Sequence, residues 1–138
     1  MAIKGSCQCG AVVYEIDRLD GDIVHCHCRT CRKSHAASFA PTAVVLRQHF
    51  RFLEGEDKLT SHHTSADKVR RFCSVCGCHI VAERAFEPHI RLRVASLDGH
   101  PGAAATLHIW QSHEPEWLAD RADTRRYQEM PDDPAFDG

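Results

Sequence analysis

GSCQCGAVVYE, at Gly5–Glu15, decides the fold once it is read against CSVCGC at Cys73–Cys78. In each stretch two cysteines stand close together, a glycine follows the second, and an apolar run begins soon after. Two thiolates at that spacing can reach one tetrahedral Zn²⁺, whose Zn–S bonds are about 2.3 Å, provided the backbone turns sharply between them. Gly5, Gly10 and Gly77 are placed to permit such turns. Both stretches read as zinc-knuckle loops at the ends of β-strands.

A third group, Cys26-x-Cys28-x-x-Cys31, lies within HCHCRTCRKSH at His25–His35. The 8 cysteines and 11 histidines are the anomaly in a chain of 138 residues that is otherwise average, with 43% hydrophobic and 26% charged residues. A length of this order fits one core, so a single zinc-binding domain over residues 1–130 is expected, with a frayed acidic tail over 131–138. No N-terminal apolar run resembles a secretory signal and no window approaches a membrane span, so the expected compartment is the cytoplasm. Thiols stay reduced there, and clustered cysteines hold metal or act in redox chemistry rather than forming a disulfide framework. A formal charge of −2 gives no basic field for nucleic acid or anionic lipid. No nucleic-acid or membrane partner is expected.

Spacing alone lets Cys7 and Cys9 complete a site with either of the other groups. A structural zinc takes four closed ligands, and clipping two pairs that are far apart removes the most freedom from the unfolded chain. Cys7, Cys9, Cys73 and Cys76 make such a clip. Cys26, Cys28 and Cys31 are then left as three thiolates from one local loop, the number found where a catalytic zinc keeps its fourth position open. Two zincs per chain are expected, one structural and one catalytic.

The rest of the chain reads as mostly β. Strand-length runs recur at Ala11–Ile16, Ile23–Cys26, Ser38–Leu46, His49–Leu53, Lys58–Thr64, Val69–Phe72, His79–Glu83, Ile90–Leu97 and Thr106–Gln111, separated by turn signals such as Glu54-Gly55-Glu56-Asp57. Helix is expected only in short pieces, around Thr30–His35 and Pro115–Ala122. Trp110 and Trp117 read as core or cleft walls.

Three stretches taken together, GSCQCGAVVYE, HCHCRTCRKSHAASF at His25–Phe39 and RRFCSVCG at Arg70–Gly77, resemble the glutathione-dependent formaldehyde-activating enzyme family, whose wider membership includes centromere protein V. LHIWQSHEPEWL at Leu107–Leu118 extends the likeness. The resemblance implies an all-β fold of small coiled antiparallel sheets organised around a structural zinc, with short helical turns. It places that zinc on the first and last motifs and a catalytic zinc on the middle one, in agreement with the partition above. It further implies a carbon–sulfur lyase reaction joining glutathione to formaldehyde, with Cys26, Cys28 and Cys31 at the catalytic centre. Arg29, Arg32 and Lys33, interleaved with those cysteines, can offset their charge or receive the carboxylates of a glutathione-like substrate.

Two residues depart from the family's pattern. His35 stands where a Gly is common and can complete the sphere of the second zinc. Cys78 stands where Thr or Ser is usual, and is read as a buried small side chain ahead of a spare thiol or an alternative ligand. Strand alternation points His25 and His27 away from the neighbouring thiols. Two further functions compete with the lyase: a non-catalytic zinc-stabilised binding module, and a thiol redox or metal-responsive protein using Cys28 and Cys31 as a switch.

Overall fold

The computed structural model describes residues 2–132; all but the first two residues of the expected acidic tail lie outside the described residues. The chain begins as a hairpin. Strands β1 (Ile3–Ser6) and β2 (Val13–Ile16) pair antiparallel, and the first cysteine pair occupies the turn between them. Val12, Tyr14 and Ile16 alternate into the interior and are fully buried, the period-2 pattern of a half-buried strand. Tyr14 lies directly opposite Gly5, where a Cβ would sit 2.2 Å from its ring, so the absent side chain is what lets the ring cross the hairpin. β1 is missing from the strand-length runs of the sequence, since Ile3-Lys-Gly-Ser6 has one large apolar residue. Its place comes from pairing with β2.

β3 (Ile23–Cys26) leads into α1 (Arg29–His35), the single α-helix among the described residues, and the chain returns as β4 (Ala40–Leu46). β5 (Phe50–Glu54) pairs with β2 and completes a three-stranded sheet. β6 (Leu59–His63), β7 (Lys68–Cys73), β8 (His79–Arg84) and β9 (His89–Arg93) follow as an antiparallel meander, with the last cysteine group in the β7–β8 turn. β9 pairs with β4, and β10 (Ala105–Ile109) adds to β3, giving a second sheet ordered β10-β3-β4-β9-β8-β7-β6. The mostly β expectation holds. One pairing differs from an all-antiparallel reading: β10 runs parallel to β3, because the chain arrives there from the distant end of β9 by a long connection. The expected helix at Pro115–Ala122 is only a 3₁₀ turn over Glu116–Leu118, and Trp117, 79% exposed there, is no part of a core but borders a surface depression.

Val45, Val81, Ile90 and Leu92 of the larger sheet meet Val12, Tyr14 and Ile16 of the smaller in one core that also takes in Cys7 and Cys73. Ser96 donates to the Arg93 carbonyl at 2.8 Å, which uses its only proton; Tyr14 is therefore the donor in its 2.7 Å bond to Ser96. This bond and an isolated Gly5–Leu97 bridge tie the two sheets together. Between β5 and β6 the chain turns at Gly55, which has φ +74, against the first cysteine turn; from the same corner the Lys58 carbonyl accepts from Ser74 N–H at 2.9 Å in the second.

A Cβ on Gly55 would lie 1.9 Å from the Ala11 carbonyl oxygen, whereas Gly10, at φ +81, has nothing within 4 Å of that position. Gly55→Ala therefore meets both backbone strain and a backbone clash and should cost about 2–4 kcal/mol, while Gly10→Ala meets strain alone and should cost about 1 kcal/mol. Thermal unfolding of the two variants checks this; equal melting temperatures would overturn it.

Candidate metal centres

The β1–β2 and β7–β8 turns are built alike. Gly10 N–H bonds to the Cys7 carbonyl at 3.0 Å and Gly77 N–H to the Cys73 carbonyl at 2.8 Å, and both glycines adopt φ +81. In each turn a backbone amide also points at the leading thiol: Val12 N–H at 3.2 Å from Cys7 Sγ and Val75 N–H at 3.4 Å from Cys73 Sγ. Such bonds favour the thiolate. The core holds the turns face to face, so that the Sγ atoms of Cys7, Cys9, Cys73 and Cys76 all lie within 4.8 Å of one another. Sulfur separations of 3.6 Å for Cys7–Cys9 and 3.9 Å for Cys9–Cys73 bracket the edge of about 3.8 Å that a tetrahedron of 2.3 Å Zn–S bonds requires. They are far too long for a disulfide. A bond from the Cys78 amide holds the Cys76 thiol down to about 6, with burial working against it. The set can hold a metal ion.

A second set forms where β3 passes into α1. Cys26 ends the strand, Cys28 caps the helix and Cys31 sits on the helix's buried side, again with all three Sγ atoms within 4.8 Å. Cys28 does two jobs here, since its sulfur also accepts from Cys31 N–H at 3.2 Å in the manner of an N-cap. Hydrogen bonding from the Cys26 thiol is the largest influence on Cys31 and pulls it down to about 4; burial opposes this, and the Arg93 charge and an Arg70 hydrogen bond assist it. Donating to Cys31 pushes the Cys26 thiol up. Three sulfurs sharing protons in this way are already disposed to bind a cation that replaces them.

These cysteines lie along a cleft of about 340 Å³ on the face of the large sheet turned away from the main core. Strand register makes that face cationic. Antiparallel pairing aligns Val44 with Arg91, Arg91 with Ala82 and Ala82 with Arg70, and the period of two then brings Lys68, Arg70, Arg84, Arg91 and Arg93 to the same side. Lys68, Arg84, Arg91 and Arg93 line the cleft, together with Ile109 at the end of β10 and Trp110 just after it. Arg84 and Arg91 are paired with Glu87 at 3.3 and 3.0 Å. Arg93 is buried, and burial with the nearby Arg70 charge brings it down to about 10, still protonated at neutral pH. None of these five cations was anticipated. The alternation Lys68-Val-Arg70 and Arg91-Leu-Arg93 is the signal that could have found them.

Arg29, Arg32 and Lys33 lie elsewhere. Arg32 and Lys33 border a separate depression beside Trp117 and Leu118, and the Arg29 amide donates to His113 Nδ1 at 3.2 Å. His35 is not part of the three-thiol set; its ring packs at a tilt against His79 with ring centroids 4.5 Å apart, and burial lowers its pKa to about 3. Cys78 is absent from the four-thiol set, is half-buried, and donates to the His79 carbonyl at 3.6 Å. His27 turns from the thiols to His108, at 2.8 Å, and His25 stacks on Phe39.

The fold has a known counterpart. Residues 2–113 match the family model described as glutathione-dependent formaldehyde-activating enzyme. A crystal structure of a Rhodobacter sphaeroides protein, 28% identical, superposes with a TM-score of 0.62 over 76% of this chain and 99% of that one. The match runs from the first strand past the end of β10 and takes in all three cysteine motifs, so the chain belongs to the glutathione-dependent formaldehyde-activating enzyme family.

Proposed function

We propose that this protein is a zinc-dependent carbon–sulfur lyase that joins glutathione, or a similar thiol, to formaldehyde or a related aldehyde. The observation that carries the reading is the placement of three converging thiols in a cleft whose walls are cationic. Two zincs are assigned per chain, a structural one on Cys7, Cys9, Cys73 and Cys76 and a catalytic one on Cys26, Cys28 and Cys31. All-sulfur donor sets suit zinc over hard cations, which prefer oxygen, and the four-cysteine set also has tetrahedral separations.

Cys26, Cys28 and Cys31 would hold a zinc that, when bound, would offer a fourth position at which a thiol could lose its proton near neutral pH. The chain's own groups do the rest. Glutathione carries two carboxylates, and Lys68, Arg84 and Arg91 along the cleft are placed to receive them and aim its sulfur inward. Val24, Ala43 and Ile109 provide apolar surface that excludes water from the reacting atoms. The sulfur adds to the aldehyde carbon, forming the C–S bond, and the carbonyl oxygen takes up one proton. Holding both partners in one orientation is the larger share of the rate gain, because the uncatalysed addition already proceeds. Arg32 and Lys33 border a separate depression, which leaves them an outer electrostatic role.

Protein purified without chelators is expected to contain close to two zincs per chain by elemental analysis, one of them made labile by dialysis against glutathione. One zinc that glutathione leaves undisturbed would move the assignment to a zinc-stabilised binding module. Cys28→Ser should remove one zinc and the acceleration of glutathione–formaldehyde exchange yet keep the far-UV spectrum and melting temperature, since a Ser hydroxyl can still cap α1. Cys73→Ser, in the fully buried end of the clip, should abolish the cooperative melt. A four-cysteine zinc contributes about 10–16 kcal/mol in small domains, comparable to or above a whole domain's stability of about 5–15 kcal/mol. A Cys28→Ser protein retaining both zincs, or full activity, would sink the proposal.

A further inference from the structure

Two of the cationic side chains are buried. Arg47, Arg51, Arg84 and Arg91 each meet a carboxylate. Arg70 and Arg93 are 1% and 5% exposed, and among the described residues neither is paired with one. One Arg70 nitrogen, NH2, donates to Cys31 Sγ at 3.8 Å, and one Arg93 nitrogen, NH1, donates to Thr42 Oγ1 at 2.8 Å. Their remaining buried nitrogens, Nε and NH1 of Arg70 and Nε and NH2 of Arg93, have no partner. Two buried guanidinium groups without counter-charge are costly, and a fold retains them only where something anionic faces them. Burial lowers the pKa of the neighbouring His35 and His79, and neither these imidazoles nor Lys68 can serve as an anion. What faces the two arginines is the three-cysteine set: Cys31 touches Arg70, and the charges of Cys31, Cys26 and Cys28 act on Arg93.

We propose that Arg70 and Arg93 are positioning residues whose buried charges select an anionic thiolate, over water or any neutral donor, as the fourth ligand of the three-cysteine centre. The inference rests on the zinc assignment made above for that centre. Three thiolates around a divalent cation carry one net negative charge, which neutralises one guanidinium and leaves the other over. A neutral fourth ligand leaves that surplus in place. A thiolate removes it, and the buried assembly of metal, four sulfurs and two arginines becomes neutral. The two arginines thus add a preference for charge at the open position that the cysteines by themselves lack.

The test uses holoprotein with cobalt in the metal sites, where a fourth ligand is seen by its absorption, and two probes: 2-mercaptoethanol, which would bind as a thiolate, and imidazole, which binds neutral. Wild type should take up 2-mercaptoethanol at neutral pH in preference to imidazole. Arg70→Met and Arg93→Met should each raise the half-saturating thiol concentration at least tenfold and leave imidazole binding unchanged or tighter. Arg70→Lys and Arg93→Lys, which keep the charge and are the safeguard if a Met variant does not fold, should recover most of the preference. Loading of the four-cysteine site reports that each variant is folded. The proposal is overturned if folded Met variants bind both probes as wild type does, if they lose both probes equally, or if wild type takes up no thiol. Should wild type bind thiol as described but leave glutathione–formaldehyde exchange at its uncatalysed rate, the lyase reading fails and the charge assignment stands.

Discussion

Four thiols meeting across the core are the constraint on which this molecule depends. Cys7 and Cys73 are buried among the apolar side chains of both sheets, so the clip is rooted in the hydrophobic interior, while Cys76 is half-buried and Cys9 reaches the surface. Each of its turns ends on a left-handed glycine and spends a backbone amide on a sulfur, and the corner at Gly55 packs against one turn and hydrogen-bonds to the other through Lys58. The hairpin β1–β2 is too short to be stable alone. Clipped to the β7–β8 turn, it becomes the base on which the main core assembles, and α1 with its three cysteines is carried into position by β3 and β4.

What could be read in the sequence was whatever the chain does locally. Cysteine spacing with a following glycine marks a knuckle because the turn is made by the residues themselves, and both cysteine sets assembled along the partition that loop closure favours. β3, β4 and the meander were legible because Val, Ile, Phe and Leu recur in them at strand period. The features that escaped are those that arise between strands. β1 has almost no apolar signal and exists through its register with β2. The parallel direction of β10 depends on the path of a long connection, and the cationic face depends on how β7, β8 and β9 align, which no single strand discloses. Arg29, Arg32 and Lys33 drew attention by standing beside cysteines in the sequence, whereas Lys68, Arg91 and Arg93 stand beside them in space.

The two centres differ in surroundings as much as in ligand number. In the four-cysteine set Cys7 and Cys73 belong to the same packed cluster as Val12 and Ile80, Cys76 packs against it and Cys9 is exposed, with no arginine among the set's hydrogen-bond partners in the described residues. The three-cysteine set sits against its own small cluster with Ala40, next to a buried arginine and open to a cleft. An apolar, closed surround suits a permanent cross-link. A charged, accessible one suits a ligand that exchanges.

Backbone amides that donate to sulfur include Val12 to Cys7, Val75 to Cys73 and Cys31 to Cys28. Each joins the peptide chain electronically to a metal-binding atom, so the state of the sulfur is written into the magnetic environment of a proton on the main chain. The Cys31 proton belongs to the first turn of α1 and the other two to strand turns, which gives each centre its own reporter in one amide spectrum. Through these protons the exchange of a ligand at one centre becomes visible separately from the integrity of the other, in the intact protein and without a label on any side chain.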